Sequence, residues 1–260
     1  MIRLQALAIV AVVYAWALQA IAADRPSPPR QGSTFQSAET QTLQADETRN
    51  PGMLWVEQGA KLWSFAPDGG NGKACASCHG DATQSMKGVA ATYPRVDKTN
   101  GELRNLEAQI NACRTVQQTS KPLAYESNEL LSLTAFVTHQ SRGLPKRVAI
   151  DGAARAYFEQ GITLYETKQG QLDLACTQCH DGLAGKRLRG DTISQGQTSG
   201  WPAYRLEWQT MGSLHRRLRA CSLGVRAEQL PAGSLEYNAI ELYLAWRGEG
   251  LPLESPGVRR

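Results

Sequence analysis

The pattern Cys-x-x-Cys-His occurs twice in the chain, at 75–79 and at 176–180. Two thiols at this spacing can form thioether bonds to the two vinyl groups of a haem, and the adjacent histidine can ligate the iron. The sequence therefore predicts two covalently attached c-type haems. The attachment residues are Cys75 and Cys78 for the first haem and Cys176 and Cys179 for the second, and the proximal iron ligands are His79 and His180.

Two other chemistries use cysteine pairs of this kind. The four cysteines could form one zinc site, or each pair could be redox-active as in thioredoxin. A zinc site leaves both histidines without a role, and a thioredoxin site expects a βαβ context that the sequence lacks. We therefore favour haem attachment.

The two motifs belong to an internal repeat. Segment 55–63 precedes the first motif as 157–165 precedes the second, and both carry Glu-Gln-Gly between aromatic residues. Further on, the spaced apolar and cysteine residues of 106–113 match those of 214–221, and both copies end in Gly-Leu-Pro. Repeats of this length are domains rather than solenoid units, so we predict a tandem duplication.

Each copy is predicted to be a small, mostly α-helical domain with long connecting loops. Leu133, Phe136 and Val137 fall on one helical face, and strand alternation flanked by turns is scarce. A buried cofactor supplies apolar surface, so such a domain needs little regular structure. We predict tandem class I cytochrome c-like domains, a first at 51–149 and a second with the active site at 150–260, each around a covalently attached haem.

Residues 1–22 have the features of a secretory signal peptide. Arg3 precedes an apolar stretch at 6–18 and a small-residue pattern at 20–22. The apolar stretch is shorter than the roughly 20 residues that span a bilayer, so we expect cleavage, a periplasmic protein and no membrane anchor. Segment 23–50 is polar and rich in Pro, Ser, Thr and Gln, which predicts an arm or linker without its own core.

Composition and charge restrict the function classes. The 260 residues leave room for two domains, and 42% apolar with 20% charged residues predicts an ordinary globular core. The formal net charge is +4, from 28 basic and 24 acidic residues, and losing Arg3 with the leader leaves 27 minus 24, or +3. This balance is too mild to indicate nucleic-acid binding.

The two remaining cysteines occupy matching positions in the repeat. Cys113 and Cys221 each close an i, i+3, i+4, i+7 face that would look into its own domain. We predict His/Cys ligation, with His79 and Cys113 at the first iron and His180 and Cys221 at the second. Electron donation from a thiolate ligand stabilises ferric iron, which predicts low reduction potentials for both haems. Low potentials point toward sulfur chemistry. The alternative is a disulfide between the two cysteines, as is usual in an oxidising compartment.

Two positions differ in charge between the copies. Arg217, four residues before Cys221 and on its helical face, corresponds to Gln109, and Arg247 corresponds to Gln140. An inward-facing guanidinium is costly unless it meets an anion, and its planar fork suits oxyanions. The pattern therefore predicts an anion-binding site beside the second haem.

Other charged residues of the second copy have structural interpretations. Haem propionates or the carboxylates of Glu236 and Glu241 are the alternative partners for the two arginines. Arg216 and Arg219 point away from the cysteine face, so we expect them on the solvated surface. The terminal pair at 259–260 is expected to be a solvated tail.

Over nearly all of its mature length the chain resembles the SoxA family, the dihaem A subunits of sulfur-oxidising Sox cytochromes. Some members of this family lack the first haem, but this sequence keeps all its attachment residues and is similar to the dihaem type. The resemblance rests on Asn-Pro-Gly-Met-Leu-Trp-Val at 50–56, Cys-Ala-Ser-Cys-His-Gly at 75–80, Met-Lys-Gly-Val-Ala-Ala at 86–91 with Tyr-Pro at 93–94, Arg217-x-x-x-Cys221, and Arg247.

The resemblance implies an L-cysteine S-thiosulfotransferase, which joins thiosulfate oxidatively to a cysteine of the carrier SoxYZ. It implies that Cys221 is catalytic and carries an extra sulfur as a persulfide, and that Arg217 and Arg247 bind the substrate. It also implies His/Cys ligation at both haems, a heterodimer with the monohaem subunit SoxX, and a soluble cytochrome c as electron acceptor.

Three other functions stay open at this stage. A dihaem electron carrier needs methionine or histidine sixth ligands, and Met211 is the candidate near the second haem. A dihaem peroxidase needs an exchangeable iron position, which His139 or His215 would serve. A scaffold protein would leave the chemistry to its partner.

Overall fold

The computed structural model describes residue 26 and residues 28–260, and the predicted signal peptide lies outside these described residues. The α-helices of the described part are α1 (Ala38–Ala45), α2 (Met53–Ser64), α3 (Cys75–His79), α4 (Ala82–Ser85), α5 (Leu106–Val116), α6 (Asn128–His139), α7 (Arg155–Glu166), α8 (Cys176–His180), α9 (Leu214–Gly224) and α10 (Leu235–Arg247). Short 3₁₀-helices occupy Gly32–Phe35, Ala90–Thr92 and Gly152–Ala154. The strands are β1 (Arg95–Val96), β2 (Leu103–Arg104), β3 (Arg187–Leu188), β4 (Asp191–Thr192), β5 (Ala203–Arg205), β6 (Thr210–Gly212) and β7 (Gly257–Arg259). The prediction of a mostly helical protein is confirmed, and among the described helices none is long and apolar enough to cross a membrane.

A pair of crossing helices forms the centre of each half of the chain. Helix α2 packs on α6 in the first half, and α7 packs on α10 in the second. Gly59 and Gly161 lie at the two crossings, where a Cβ atom would overlap the carbonyl oxygen of Ser132 or Ala239, respectively. Glycine is therefore what allows the two backbones to approach so closely.

Replacing Gly161 with alanine is expected to lower the free energy of unfolding by about 3 kcal/mol, because the added methyl group must push α7 away from α10 in a close-packed core. Denaturant unfolding of the haem-loaded protein measures this loss. Gly224→Ala is the matched control, since a Cβ at that position meets no atom within 4 Å, and its effect should stay within about 0.5 kcal/mol. Equal stability of the two variants would contradict the close approach.

The helices that carry Cys113 and Cys221 begin at equivalent caps. The side chain of Asn105 accepts a hydrogen bond from the third backbone amide of α5, and Ser213 does the same at the start of α9. Such caps satisfy amide groups that have no partner within the helix. Each cysteine follows its cap by eight positions, so the two caps place the two thiols at the same height along their helices.

A three-stranded sheet ties the end of the chain to the second half. Strand β5 pairs antiparallel with β6, where Ala203 lies opposite Gly212, and parallel with β7. Arg259 in β7 is 8% exposed and donates hydrogen bonds to Gln44 and Glu254. The expectation of a solvated tail is therefore wrong for Arg259, because strand pairing draws this residue into the protein.

The arm at 28–50 packs along the rest of the chain. Phe35 and Asn50 are buried. The Asn50 side chain donates a 2.9 Å hydrogen bond to the carbonyl of Pro256, and the Gln36 side chain accepts one of 3.1 Å from the amide of Arg260. The polar arm thus owes its order to contacts with other segments rather than to a core of its own.

Candidate functional site

The second Cys-x-x-Cys-His motif forms the one-turn helix α8 and brings His180 to Cys221. The imidazole Nδ1 of His180 donates a 2.7 Å hydrogen bond to the carbonyl of Ser194. This bond orients the ring and leaves Nε2 as the nitrogen that could ligate an iron. His180 is also close enough to the sulfur of Cys221 to lower the pKa of that thiol, so the two predicted ligands of the second iron lie near each other.

Cys221 is half-buried, and its thiol lies in an electropositive environment. Burial raises its pKa, whereas the charge of Arg217, the contact with His180 and the charge of Arg205 lower it. The net result is a pKa lowered from 9.0 to about 7. Because the thiolate is the form that ligates iron and attacks sulfur, this environment suits both predicted roles of Cys221.

The first motif forms α3, and its histidine lies beside an aromatic ring. The His79 ring lies 5.6 Å from the ring of Trp63, whose indole donates a 3.0 Å hydrogen bond to the carbonyl of Gly80. The amide nitrogen of Gln109 lies 3.5 Å from the sulfur of Cys113 and donates to it. Cys113 thus has a neutral amide as its neighbour at the position where Cys221 has the charged guanidinium of Arg217.

All six cysteines lie in the described part of the chain, and none forms a disulfide. Burial and, more weakly, the neighbouring Cys113 raise the pKa of Cys75. Burial and the neighbouring Cys221 raise the pKa of Cys176 to about 12. Each predicted ligand cysteine therefore sits beside the attachment thiol of its own half, and the described residues contain no cluster of three His, Cys, Asp or Glu that would form the alternative zinc site.

The methionine and histidine candidates for the sixth ligand have other partners. Met211 is fully buried in a cluster with Val56. His139 pairs at 3.2 Å with a glutamate of the arm, and His215 pairs at 3.1 Å with Glu241. Each of the three side chains thus has contacts of its own, and none of these contacts is with a motif histidine.

Arg247 lies where α10 approaches α8 and is 2% exposed. Its guanidinium pairs with the carboxylate of Asp181, the residue that follows the second motif, and lies over the Tyr165 ring at 4.6 Å. The Tyr165 hydroxyl donates a 3.0 Å hydrogen bond to the same carboxylate. The carboxylate paired with Arg247 is thus Asp181 rather than Glu236 or Glu241. Because Asp181 directly follows His180, this ion pair lies on the side of the site that carries the histidine.

Arg205 is the residue that the sequence analysis missed. Strand β5 carries it, its side chain is 5% exposed, and it pairs with Glu207 at 2.8 Å. It is close enough to Cys221 to lower the pKa of that thiol and close enough to Arg217 for the two charges to repel. The repeat did contain a signal for Arg205. Arg205 stands 16 positions before Cys221, and the residue 16 positions before Cys113 is Asp97, so the charge at this position differs in sign between the two copies.

The residues around both motifs fit a covalently attached haem. The attachment thiols Cys75 and Cys176 pack against the hydrophobic cluster of their own half. A porphyrin needs such an apolar wall together with two thiols and ligands for the iron. The apolar wall of the first half includes Trp63, Ala82, Met86, Ala90, Ala91, Tyr93, Leu106 and Val137.

Comparison with known proteins finds similar sequences and a similar structure over most of the chain. The family model described as SoxA/TsdA, cytochrome c domain, matches residues 58–146. The SoxA subunit of L-cysteine S-thiosulfotransferase from Pseudaminobacter salicylatoxidans is 44% identical over 88% of this chain and 80% of its own length. The SoxA subunit from Rhodovulum sulfidophilum is 41% identical over 91% of this chain and 82% of its own length. The crystal structure of SoxXA from P. pantotrophus superposes with a TM-score of 0.86 at 38% identity, covering 89% of this chain and 87% of that chain.

These similarities reach well beyond the haem-attachment motif. An alignment over 230 residues necessarily includes both halves of the chain, and the structural match has the same extent. The resemblance seen in the sequence is therefore confirmed, and with it a cytochrome c protein that carries haem c. The chain belongs to the SoxA family, the A subunits of L-cysteine S-thiosulfotransferase.

Proposed function

We propose that the two halves are duplicated cytochrome c domains, 51–149 and 150–260, each holding one haem c. Each half has a crossing helix pair, a one-turn motif helix and a capped helix with a cysteine at the same position. These shared features support the duplication. The proposed attachment residues are Cys75 and Cys78 in the first half and Cys176 and Cys179 in the second. The proposed iron ligands are His79 with Cys113 and His180 with Cys221.

The second half is the proposed site of thiosulfate chemistry. The observation that carries this proposal is the grouping of the half-buried Cys221 thiol with the guanidinium groups of Arg217 and Arg205. Thiosulfate is a dianion whose oxygens accept hydrogen bonds from guanidinium groups and whose outer sulfur can bond to a thiolate. Arg247, held by Asp181, contributes a further cation on the histidine side of the site.

The proposed reaction joins thiosulfate to a carrier thiol in two steps. The Cys221 thiolate bonds to the outer sulfur of thiosulfate with loss of two electrons, which gives a protein-bound S-thiosulfonate. The carrier thiolate then attacks the same sulfur, and Cys221 leaves as thiolate. Haem c supplies the one-electron acceptor that makes the first step possible. Overall one carrier thiol and one thiosulfate give the carrier S-thiosulfonate, one proton and two electrons.

The proposed partners follow from this reaction. The SoxX subunit of a heterodimer would pass the electrons to a soluble cytochrome c, and the carrier SoxYZ would present the accepting cysteine. Support comes from the match to the SoxXA crystal structure. Cleavage of the signal peptide would place the assembly in the periplasm, where haem c is attached to exported proteins.

The experiment that tests this function combines the haem-loaded heterodimer with thiosulfate, oxidised cytochrome c and the carrier. Mass spectrometry should show one thiosulfonate on the carrier cysteine, and absorbance should show two cytochromes reduced for each product formed. Peptide mass spectrometry should also find added sulfur on Cys221. Reduction of cytochrome c without modification of the carrier would overturn the transferase in favour of electron transfer alone.

Arg247→Gln, which copies Gln140 of the first half, is expected to lower kcat/KM for thiosulfate about tenfold, because the anion loses one charge-assisted hydrogen bond. Steady-state kinetics of the loaded complex measure this change. Gln140→Ala is the matched control, since that side chain donates only to the Phe136 carbonyl within its own helix. Unchanged thiosulfate turnover in Arg247→Gln would remove Arg247 from the mechanism and leave it as the structural partner of Asp181.

A further inference from the structure

A group of buried ionisable side chains lies between the two halves, outside the thiosulfate site. Glu107 on α5 is 7% exposed, His215 on α9 is 1% exposed, and Lys146 in the segment after α6 is 7% exposed. Glu241 on α10 completes the group, with its carboxylate 3.1 Å from Nε2 of His215. Glu107, Lys146 and Glu241 line one cavity, and His215 joins this group through Glu241.

Hydrogen bonds hold this group in place. His215 accepts a 2.9 Å hydrogen bond at Nδ1 from the amide of Gly233, so Nε2 carries the proton that faces Glu241. Asn105 donates a 3.3 Å hydrogen bond to the same carboxylate. The ammonium group of Lys146 donates to two main-chain carbonyls. These contacts hold the side chains of His215, Glu241 and Lys146 in place around Glu107.

The surroundings shift the pKa values of Glu107 and Lys146 towards neutral pH. Burial and the charge of Glu241 raise the pKa of Glu107 to about 7, while His215 opposes this shift. Burial lowers the pKa of Lys146 to about 8. Neighbouring carboxylates in a poorly solvated space share protons in this way. The ionisable groups that face Glu107 are Glu241 from α10, His215 from α9, Tyr125 and Glu126 from the loop before α6, and Lys146 from the segment after it.

The group lies at a fixed distance along the helix from each of the two proposed cysteine ligands, Cys113 and Cys221. Glu107 stands six residues before Cys113, and His215 stands six residues before Cys221, on the same two helices. Six residues of α-helix correspond to about 9 Å along the axis. A negative charge added about 9 Å from a carboxyl group, in an interior with an effective dielectric constant of about 20, strengthens proton binding by that group roughly 20-fold.

We propose that Glu107, Glu241 and His215 form a proton-binding site that takes up one proton when haem c of this chain is reduced and releases it on reoxidation. The electron comes from the oxidation of thiosulfate and leaves to the cytochrome acceptor. The proton comes from water, enters through the Glu241 side chain, which keeps 14% exposure, and returns by the same route. This proposal depends on a haem bound to the chain and does not depend on which sulfur compound is oxidised. It would therefore hold even if the substrate were not thiosulfate.

Potentiometric titration of the loaded heterodimer at several pH values tests the site, with the haem followed by absorbance and no sulfur substrate present. The reduced form binds the proton more tightly, so the midpoint potential should fall as the pH rises through 7. Glu107→Gln and Glu241→Gln should each reduce this slope at least twofold. Glu129→Gln, at an exposed position on α6, should keep it. A wild-type potential independent of pH, or an unchanged slope in both cavity variants, would overturn the proposal.

A second measurement serves if the cavity variants fail to load haem. Infrared difference spectra between the reduced and oxidised wild-type protein should show a protonated carboxyl band that appears on reduction. Labelling with ¹³C-glutamate should shift this band, which separates it from a haem propionate. A band that ignores the glutamate label, or the absence of any carboxyl band, would refute proton uptake by Glu107 and Glu241.

Discussion

Cys221→Ser is expected to lower thiosulfate turnover by at least about 10³-fold while the chain still folds and loads haem. A serine hydroxyl neither forms a sulfur–sulfur bond with thiosulfate nor matches a thiolate as an iron ligand. The loss should therefore appear in the rate of carrier modification and in the absorption spectrum together. Both are measured on the same purified heterodimer.

Two comparison variants make this result specific. Ser222→Ala removes the neighbouring hydroxyl, which donates a 3.2 Å hydrogen bond to the carbonyl of Leu218 within the same helix, and should keep turnover within about twofold. Cys113→Ser should change the spectrum of the first half and cost at least tenfold less activity than Cys221→Ser. Activity that survives Cys221→Ser would instead favour a scaffold that leaves the chemistry to its partner.

The local parts of the site were predictable from the sequence. The spacing within 75–79 and 176–180 defines both attachment motifs without any knowledge of the fold. The apolar period of 106–113 and 214–221 places Cys113 and Cys221 on inward faces, and the structure shows capped helices there. Both signals depend only on residues a few positions apart, which is the range over which helical periodicity is reliable.

The parts that the sequence analysis missed depend on distant segments. Arg205 reaches Cys221 because β5 lies between β6 and β7, and no local pattern predicts that three-residue strand. Arg259 is buried by pairing with the same strand, and its partner Gln44 comes from the arm. Arg247 was correctly placed on an inward face, but its partner Asp181 follows the motif on another helix.

The two halves differ in charge at the positions that surround the cysteine. Gln109 donates a hydrogen bond to Cys113, whereas the charge of its counterpart Arg217 acts on Cys221. The position of Arg205 in the second half is occupied by the oppositely charged Asp97 in the first. Arg205 and Arg247 are buried and each pairs with a carboxylate, whereas no ion pair of Arg217 with a carboxylate is found within the described part of the chain. A dianion bound beside Cys221 would give the Arg217 charge a partner, which a pure electron relay would not.

Arg217→Gln is the variant that best tests the dianion site, and it is expected to lower kcat/KM for thiosulfate about 100-fold. This loss corresponds to about 2.7 kcal/mol, the value of a charge-assisted hydrogen bond to a poorly solvated anion. Arg217→Lys should fall between the wild type and Arg217→Gln, because lysine keeps the charge but lacks the planar fork. Arg216→Gln is the matched control, since the Arg216 guanidinium lies over the ring of Trp208 at 4.2 Å, and its kcat/KM should stay within about twofold.

The pattern of these variants distinguishes substrate binding from a general electrostatic effect. If Arg217 binds thiosulfate, the loss in Arg217→Gln falls mainly on KM, and adding Arg205→Gln costs less than the sum of the two single losses because both cations contact one anion. If both arginines only set the charge around Cys221, kcat falls and KM stays constant. A change of less than threefold in kcat/KM for Arg217→Gln would show that thiosulfate binds elsewhere on the chain.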